Sequence, residues 1–211
     1  MASSKTELPS LRSGDQLTRE EFHRRYAARP DIRRAELIDG VVYVASPTRF
    51  SHHDKPTGAM IFWLFAYAGR HPDVEAGGSA SLFLGDDEVQ PDAFLFRVDP
   101  EGRGPRENAE GYLEGAPQLV VEIAASSVSY DLRTKLELYR RSGVQEYIVW
   151  RTLDRAIDWF RLRDGEYVRV ERDPRGIIES EAFPGLRLDV SKMLEGDTLG
   201  VLAALTTGPT G

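Results

Sequence analysis

The spacing of apolar and polar positions divides the chain into short strand-like runs, broken by Gly, Pro and Asp turns, with three stretches of helical character. Glu36-Leu37-Ile38, Asp39-Gly40 and Val41-Val42-Tyr43-Val44 predict a hairpin, because Asp-Gly supplies the positive φ angles of a two-residue turn. Ahead of it, Thr18 with Glu21 three residues on is a capping-box pattern and predicts a helix to about Ala28. Pro56 is placed to start a second helix, whose run to Tyr67 is apolar nearly all round and is expected to be largely enclosed. Ser79 to Leu84 and Val89 to Phe96 predict two strands joined by Asp86-Asp87-Glu88, with Pro91 marking an edge or a strand start.

Beyond these, Asp99 to Pro117 is rich in Gly, Pro, Glu and Arg and predicts a long loop. Leu119 to Ala124 is a continuous apolar run with one Glu inside it, as for a central strand covered on both faces. Asp131 opens a helix that Gly143 closes, Tyr147 to Trp150 is a buried strand, and Ile157 to Leu162 with Tyr167 to Val170 form a hairpin across Asp164-Gly165. Strands mixed with crossing helices predict an α/β or α+β sandwich. With no repeat and no linker, one domain is expected over residues 17–205, with a flexible leader at 1–16 and a frayed tail at 206–211.

Composition narrows the function. At 211 residues, 41% hydrophobic and 29% charged, the chain has the balance of a folded globular domain. It has no cysteine, which excludes a disulfide framework, a thiolate metal site and a cysteine nucleophile, and suits a reducing cytoplasm. The first residues lack an apolar core, so no export signal is expected. The most apolar stretch, Ala59 to Ala68, is about half the roughly 20 residues that cross a bilayer, so no membrane role is expected. A net charge of −7 gives no global attraction to nucleic acid, so any such role must depend on local charge and bound cations.

Two acids interrupt apolar strands. Glu122 shares a strand face with Val120 and Ala124, and Asp92 shares one with Phe94 and Phe96. Burying a carboxylate costs several kcal/mol unless a cation, metal or hydrogen bond offsets it. Ordinary structural roles are open to both: a strand-end glutamate in a salt bridge, and an aspartate capping the turn after Pro91. If the strands adjoin, the pair can instead converge on one divalent cation, since hard oxygen ligands suit magnesium. In the helix from Asp131, Leu132, Leu136 and Tyr139 form an apolar stripe widened by Leu138, while Arg133, Glu137, Arg140 and Arg141 face solvent. Lys135 is the one charge within the buried face, placed either to pair with Asp131 or to reach back to Glu122.

VQPDAFLF, LVVEIAASS and DLRTKLELYRRSGVQEYIVW, together with AELIDGVVYVASP, resemble the Uma2-like family of restriction-endonuclease-like proteins over roughly Gln16 to Leu188. The resemblance implies a PD-(D/E)XK fold, with a central mixed sheet flanked by helices and added β-hairpins. It further implies a Mg2+- or Mn2+-dependent phosphodiesterase site acting on nucleic acid, DNA foremost, and often a homodimer. Asp92 matches the acid of the PD element and Glu122 the next acid. Ala124 stands where the usual motif has its lysine, and the resemblance implies that Lys135 on the following helix takes over that role. Glu36 matches a further acid near the metal, and the carbonyl of Ile123 would join Asp92 and Glu122 as a metal ligand. Under this reading Lys135 orients a metal-activated water.

Ala125-Ser126-Ser127 replaces the family's Ser-Pro-Ser tendency, which bears on the geometry of the turn into the helix. His52 and His53 are assigned to a surface loop outside the site, and Arg103, Arg106, Arg133, Arg140 and Arg141 are candidate phosphate contacts. Two other classes of function compete: a non-catalytic binding or regulatory protein on the nuclease fold, and a fold whose acids form structural ion pairs while function resides in the Asp99 to Pro117 loop.

Overall fold

The computed structural model describes residues 8–102 and 104–206. Helix α1 (Arg19–Ala27) starts where its cap predicts, Thr18 Oγ1 accepting the Glu21 N–H at 3.3 Å. Strands β1 (Ala35–Ile38) and β2 (Val41–Val44) form the expected hairpin, with Asp39 and Gly40 at φ +52° and +72°. Residues 8–16, expected as leader, lie against this hairpin. Leu11 is buried with Phe22, Leu37 and Val42, and the Gly14 N–H donates to the Val42 carbonyl at 2.8 Å. Packed chain therefore begins before Leu17, because an apolar leader residue finds an apolar surface; residues 1–7 and 207–211 lie outside the described residues.

A π-helical turn, Phe50–Asp54, leads into α2 (Lys55–Ala68). The helix is less enclosed than its composition predicts: Met60, Trp63, Leu64 and Tyr67 are buried, but Phe62 and Phe65 are 47% and 51% exposed. Then come β3 (Val74–Gly77), β4 (Leu82–Leu84), β5 (Asp87–Val89) and β6 (Ala93–Arg97). The single strand expected from Val89 to Phe96 is thus two. Pro91 has no N–H to continue a ladder, and the chain breaks strand pairing at Gln90-Pro91-Asp92, passing from one sheet into another. The expected long loop holds a small hairpin, β7 (Arg106–Glu107) and β8 (Leu113–Glu114).

Strands β9 (Leu119–Ala124), β10 (Glu146–Arg151), β11 (Ala156–Arg163) and β12 (Glu166–Arg169) follow the predicted runs. The helix between β9 and β10 starts at Val128, ahead of Asp131, and has three parts: α3 (Val128–Tyr130), a π turn Asp131–Lys135, and α4 (Leu136–Arg141). Two strands and two helices that apolar spacing does not reveal complete the described residues: β13 (Ile177–Glu179), β14 (Arg187–Asp189), α5 (Val190–Glu195) and α6 (Thr198–Thr206).

The central mixed sheet runs β12-β11-β10-β9-β6-β3, with β9 and β10 parallel and the other pairs antiparallel. A second sheet runs β2-β1-β5-β4-β8-β7. One face of the central sheet packs on α2 and the C-terminal elements through residues such as Trp63, Val121, Ile123 and Trp159, the two indoles meeting edge to face at 6.1 Å. Each such buried side chain contributes roughly 1.5–3 kcal/mol. The other face, carrying Val120 and Ala124, packs on Leu138 and Tyr139 of α4 and on β4 and β5. No helix among the described residues is long and apolar enough to cross a membrane.

Candidate active site

The break between β5 and β6 and the alternation along β9 decide where two acids end up. Pairing between β6 and β9 stops at Ala93 opposite Val121, so Asp92 sits just past the ladder's end, and its Oδ2 accepts the Ile123 N–H at 2.7 Å. Glu122, one residue earlier on β9, faces the α4 side. Its Oε1 accepts from Lys135 Nζ at 2.8 Å and from the Tyr139 hydroxyl at 2.7 Å. Glu36 arrives from the second sheet on β1. Its Oε1 accepts from Lys135 Nζ and from the Gln90 N–H, both at 2.9 Å, and its Oε2 accepts from the Tyr130 hydroxyl at 3.2 Å.

Lys135 is 2% exposed and bridges Glu36 and Glu122. The expected Asp131–Lys135 alternative does not form an ion pair; Asp131 accepts from the Ser127 hydroxyl at 2.6 Å, which also pins the turn whose geometry the Ala125-Ser126-Ser127 sequence affects. The π turn ending at Lys135 adds a residue to the local helical turn and so resets its phase relative to a regular helix, a distortion common at functional sites.

Two residues join the site that sequence patterning left out. Arg34, immediately before β1, donates Nη1 to Asp92 Oδ1 at 2.6 Å and Nη2 to Glu122 Oε2 at 3.4 Å. The same Nη2 bonds the Gln90 carbonyl and lies 3.6 Å from Glu36. His53 is not a bystander on a surface loop: the π turn before α2 aims its Nε2 at Asp92 Oδ1, 3.3 Å away. His52 lines the same cleft without touching the acids by ion pair. Arg34 gives no periodic signal, since it lies in the polar Arg33-Arg34 pair ahead of the strand. Its placement two residues before Glu36 is the one hint the sequence holds.

The electrostatics follow from burial and this wiring. Burial opposes the Asp92 charge, but the His53 contact and Arg34 outweigh it and hold the carboxyl well below the usual range. Burial also opposes the Glu36 charge, and Lys135, Arg34 and the Gln90 N–H overcome it, lowering the carboxyl. Glu122 goes the other way: burial pushes it up to about 8 in spite of Lys135, with the Asp92 charge adding to the rise. Burial alone would lower Lys135, but its two glutamates raise it, so it stays a cation. Near neutral pH Glu122 therefore holds a proton, and the two acids that stay charged, Asp92 and Glu36, are matched by Arg34 and Lys135.

These groups line a cleft of about 580 Å³, whose wall also carries Ser13, Tyr43, Arg49 and Leu153. Among the described residues no three His, Asp or Glu side chains are set around a common metal position. The donor chemistry nevertheless suits a hard divalent cation. Asp92 and Glu122 would hold such a cation, with Ile123 also on the cleft wall: Asp92 Oδ2 and Glu122 Oε1 are tied to Ile123, Lys135 and Tyr139, whereas Asp92 Oδ1 and Glu122 Oε2 are held by Arg34. The expected phosphate contacts do not gather here: Arg140 pairs with Glu137, Arg141 pairs with Asp39 and Asp87, and neither these nor Arg106 and Arg133 line the cleft. Arg103 lies outside the described residues.

The fold has relatives. A crystal structure titled as a "putative nuclease belonging to DUF820" from Anabaena variabilis superposes with a TM-score of 0.67 at 16% sequence identity, covering 85% of this chain and 98% of that one. No curated protein matches the chain. The family model for Uma2, described as "Putative restriction endonuclease", matches residues 19–191, which include Arg34, Glu36, His53, Asp92, Glu122 and Lys135. With most of its length and the whole cluster inside that match, the chain belongs to the Uma2 family.

Proposed function

We propose that the protein is a divalent-cation-dependent nuclease that hydrolyses phosphodiester bonds of nucleic acid, DNA foremost. The observation that carries this reading is the pair of buried carboxylates, Asp92 and Glu122, brought together on the one Arg34 guanidinium in an open cleft. Magnesium or manganese held there would lower the pKa of a bound water and offset charge on the scissile phosphate. Tyr139 and Lys135 hold one oxygen of Glu122 so that the other faces the cleft, and the Ile123 N–H does the same for Asp92. Lys135 remains protonated, so it serves as a fixed positive charge and donor toward the attacking water and the developing phosphorane charge, and does not take the proton. Arg49, on the cleft wall with no ion pair among the described residues, is placed to meet a phosphate.

The test is cleavage of plasmid and single-stranded DNA by purified protein with magnesium or manganese. Wild type should cut and Asp92→Ala should not. Equal background from both removes the catalytic claim. The competing reading, a nuclease fold that binds nucleic acid without cutting it, draws on Arg34 between the acids. It predicts metal-independent binding in the same samples. The family resemblance also supports a homodimer, readable as twice the chain mass in sedimentation.

A further inference from the structure

Arg34 differs from Lys135 in what it holds and in how it is held. Lys135 is buried and binds Glu122 Oε1, an oxygen already tied to Tyr139, so it can stay when the opposite oxygen changes partner. Arg34 binds the two oxygens that a metal would need, Asp92 Oδ1 and Glu122 Oε2, through its two terminal nitrogens. Its side chain is 20% exposed and lines the cleft, while its own carbonyl is anchored by the Ala45 N–H at 3.0 Å. The backbone is thus held independently of the guanidinium, whose departure would break its bonds to Asp92, Glu122 and the Gln90 carbonyl.

Charge favours the exchange. Glu36, Asp92 and Glu122 bring three carboxyl groups to the cluster, against the two fixed cations Lys135 and Arg34 and the His53 ring on Asp92. Lys135 with a divalent cation balances all three, whereas a divalent cation beside Arg34 would set like charges against each other.

We infer that Arg34 is the exchangeable occupant of the metal seat. It bridges Asp92 and Glu122 until a divalent cation takes those oxygens, and its freed guanidinium then turns along the cleft wall to bind a phosphate of the nucleic acid. The inference rests on the nuclease reading, and it adds that metal binding and substrate binding are coupled through this one side chain. A guanidinium suits both places, since its planar fork spans two carboxylate oxygens or two phosphate oxygens.

The experiment is calorimetric titration of manganese(II) into wild type, Arg34→Gln, Arg34→Lys and Asp92→Asn. A companion measurement follows binding of a fluorescent DNA oligonucleotide with and without calcium. Arg34→Gln should bind manganese at least about tenfold more tightly than wild type, a typical size for coupling of this kind. Arg34→Lys should fall between the two, because an ammonium cannot span both oxygens. Calcium should strengthen oligonucleotide binding by wild type, and Arg34→Gln should lose most of that gain. Equal or weaker manganese binding by an Arg34→Gln protein that still melts cooperatively, with binding abolished in Asp92→Asn, overturns the exchange and leaves the nuclease reading standing. If Arg34→Gln does not fold, Arg34→Lys decides on the same terms. Absence of manganese binding in every protein overturns both.

Discussion

Replacing Lys135 with Met removes the buried ammonium while keeping an unbranched side chain of similar length, so the change isolates charge from packing. The ammonium lies 2.9 Å from Glu36 and 2.8 Å from Glu122, both themselves buried. Removing one partner of a buried ion pair costs about 3–5 kcal/mol, because the surviving charge is left without compensation. Here Arg34, Tyr139 and the Gln90 N–H remain on the two carboxylates, which places the expected loss at the lower end, about 3 kcal/mol. With a urea slope of about 3 kcal/mol/M, at the upper end of the range for small proteins, the unfolding midpoint should fall by about 1 M with the slope unchanged. Adding Glu36→Gln to Lys135→Met should recover a large part of the loss, since it removes a charge the lysine had compensated. A midpoint shift under about 0.3 M, or a double variant no more stable than the single one, would refute the claim that Lys135 neutralises these acids.

Three further outcomes follow from the same wiring. His53→Ala should leave the fold intact and tighten manganese binding by about fivefold or more in calorimetry, in the same direction as Arg34→Gln, because it takes a second group off Asp92 Oδ1; weaker binding would contradict the assignment of that oxygen to the metal. Gly78→Ala should cost about 1–3 kcal/mol in urea unfolding and lower cleavage as well, because a Cβ there would come 2.6 Å from the Asp92 carbonyl oxygen and 2.8 Å from Ile61 Cδ1. Burial pushes the Glu88 carboxyl up although the His23 ring nitrogen lies 2.9 Å from it. Its proton is held more tightly in the folded chain, so its contribution is full below about 4.5 and is lost as pH rises through the raised value. Glu88→Gln should therefore flatten the fall in stability above that pH.

What was legible in the chain depended on contrast. Glu122 and Asp92 could be picked out because each places a charge in a run of apolar residues, and Lys135 because helical phase puts it with Leu138 and Tyr139. Glu36 had no such support beyond the family resemblance. Arg34 was invisible for the opposite reason: an arginine in a polar connection is ordinary, and its partners Asp92 and Glu122 lie 58 and 88 positions away. His53 was misplaced because a histidine ahead of a helix reads as loop, whereas the π turn Phe50–Asp54 swings it onto Asp92. The hairpins over Asp39-Gly40 and Asp164-Gly165 were readable from turn chemistry. By contrast β13, β14 and α5 are too short to show a period, and α6 is apolar nearly throughout. The split of Val89 to Phe96 between two sheets was signalled by Pro91, but which sheets would meet there depends on tertiary pairing.

The central claim is that Asp92 and Glu122 share a divalent cation. A crystal soaked in manganese and measured at the manganese absorption edge tests it directly. The account predicts one anomalous peak about 2.1 Å from both Asp92 Oδ1 and Glu122 Oε2, with Lys135 still between Glu36 and Glu122 and Arg34 turned toward the cleft. A crystal with no peak at this position, and with the Arg34 guanidinium still bridging the two carboxylates, would contradict it.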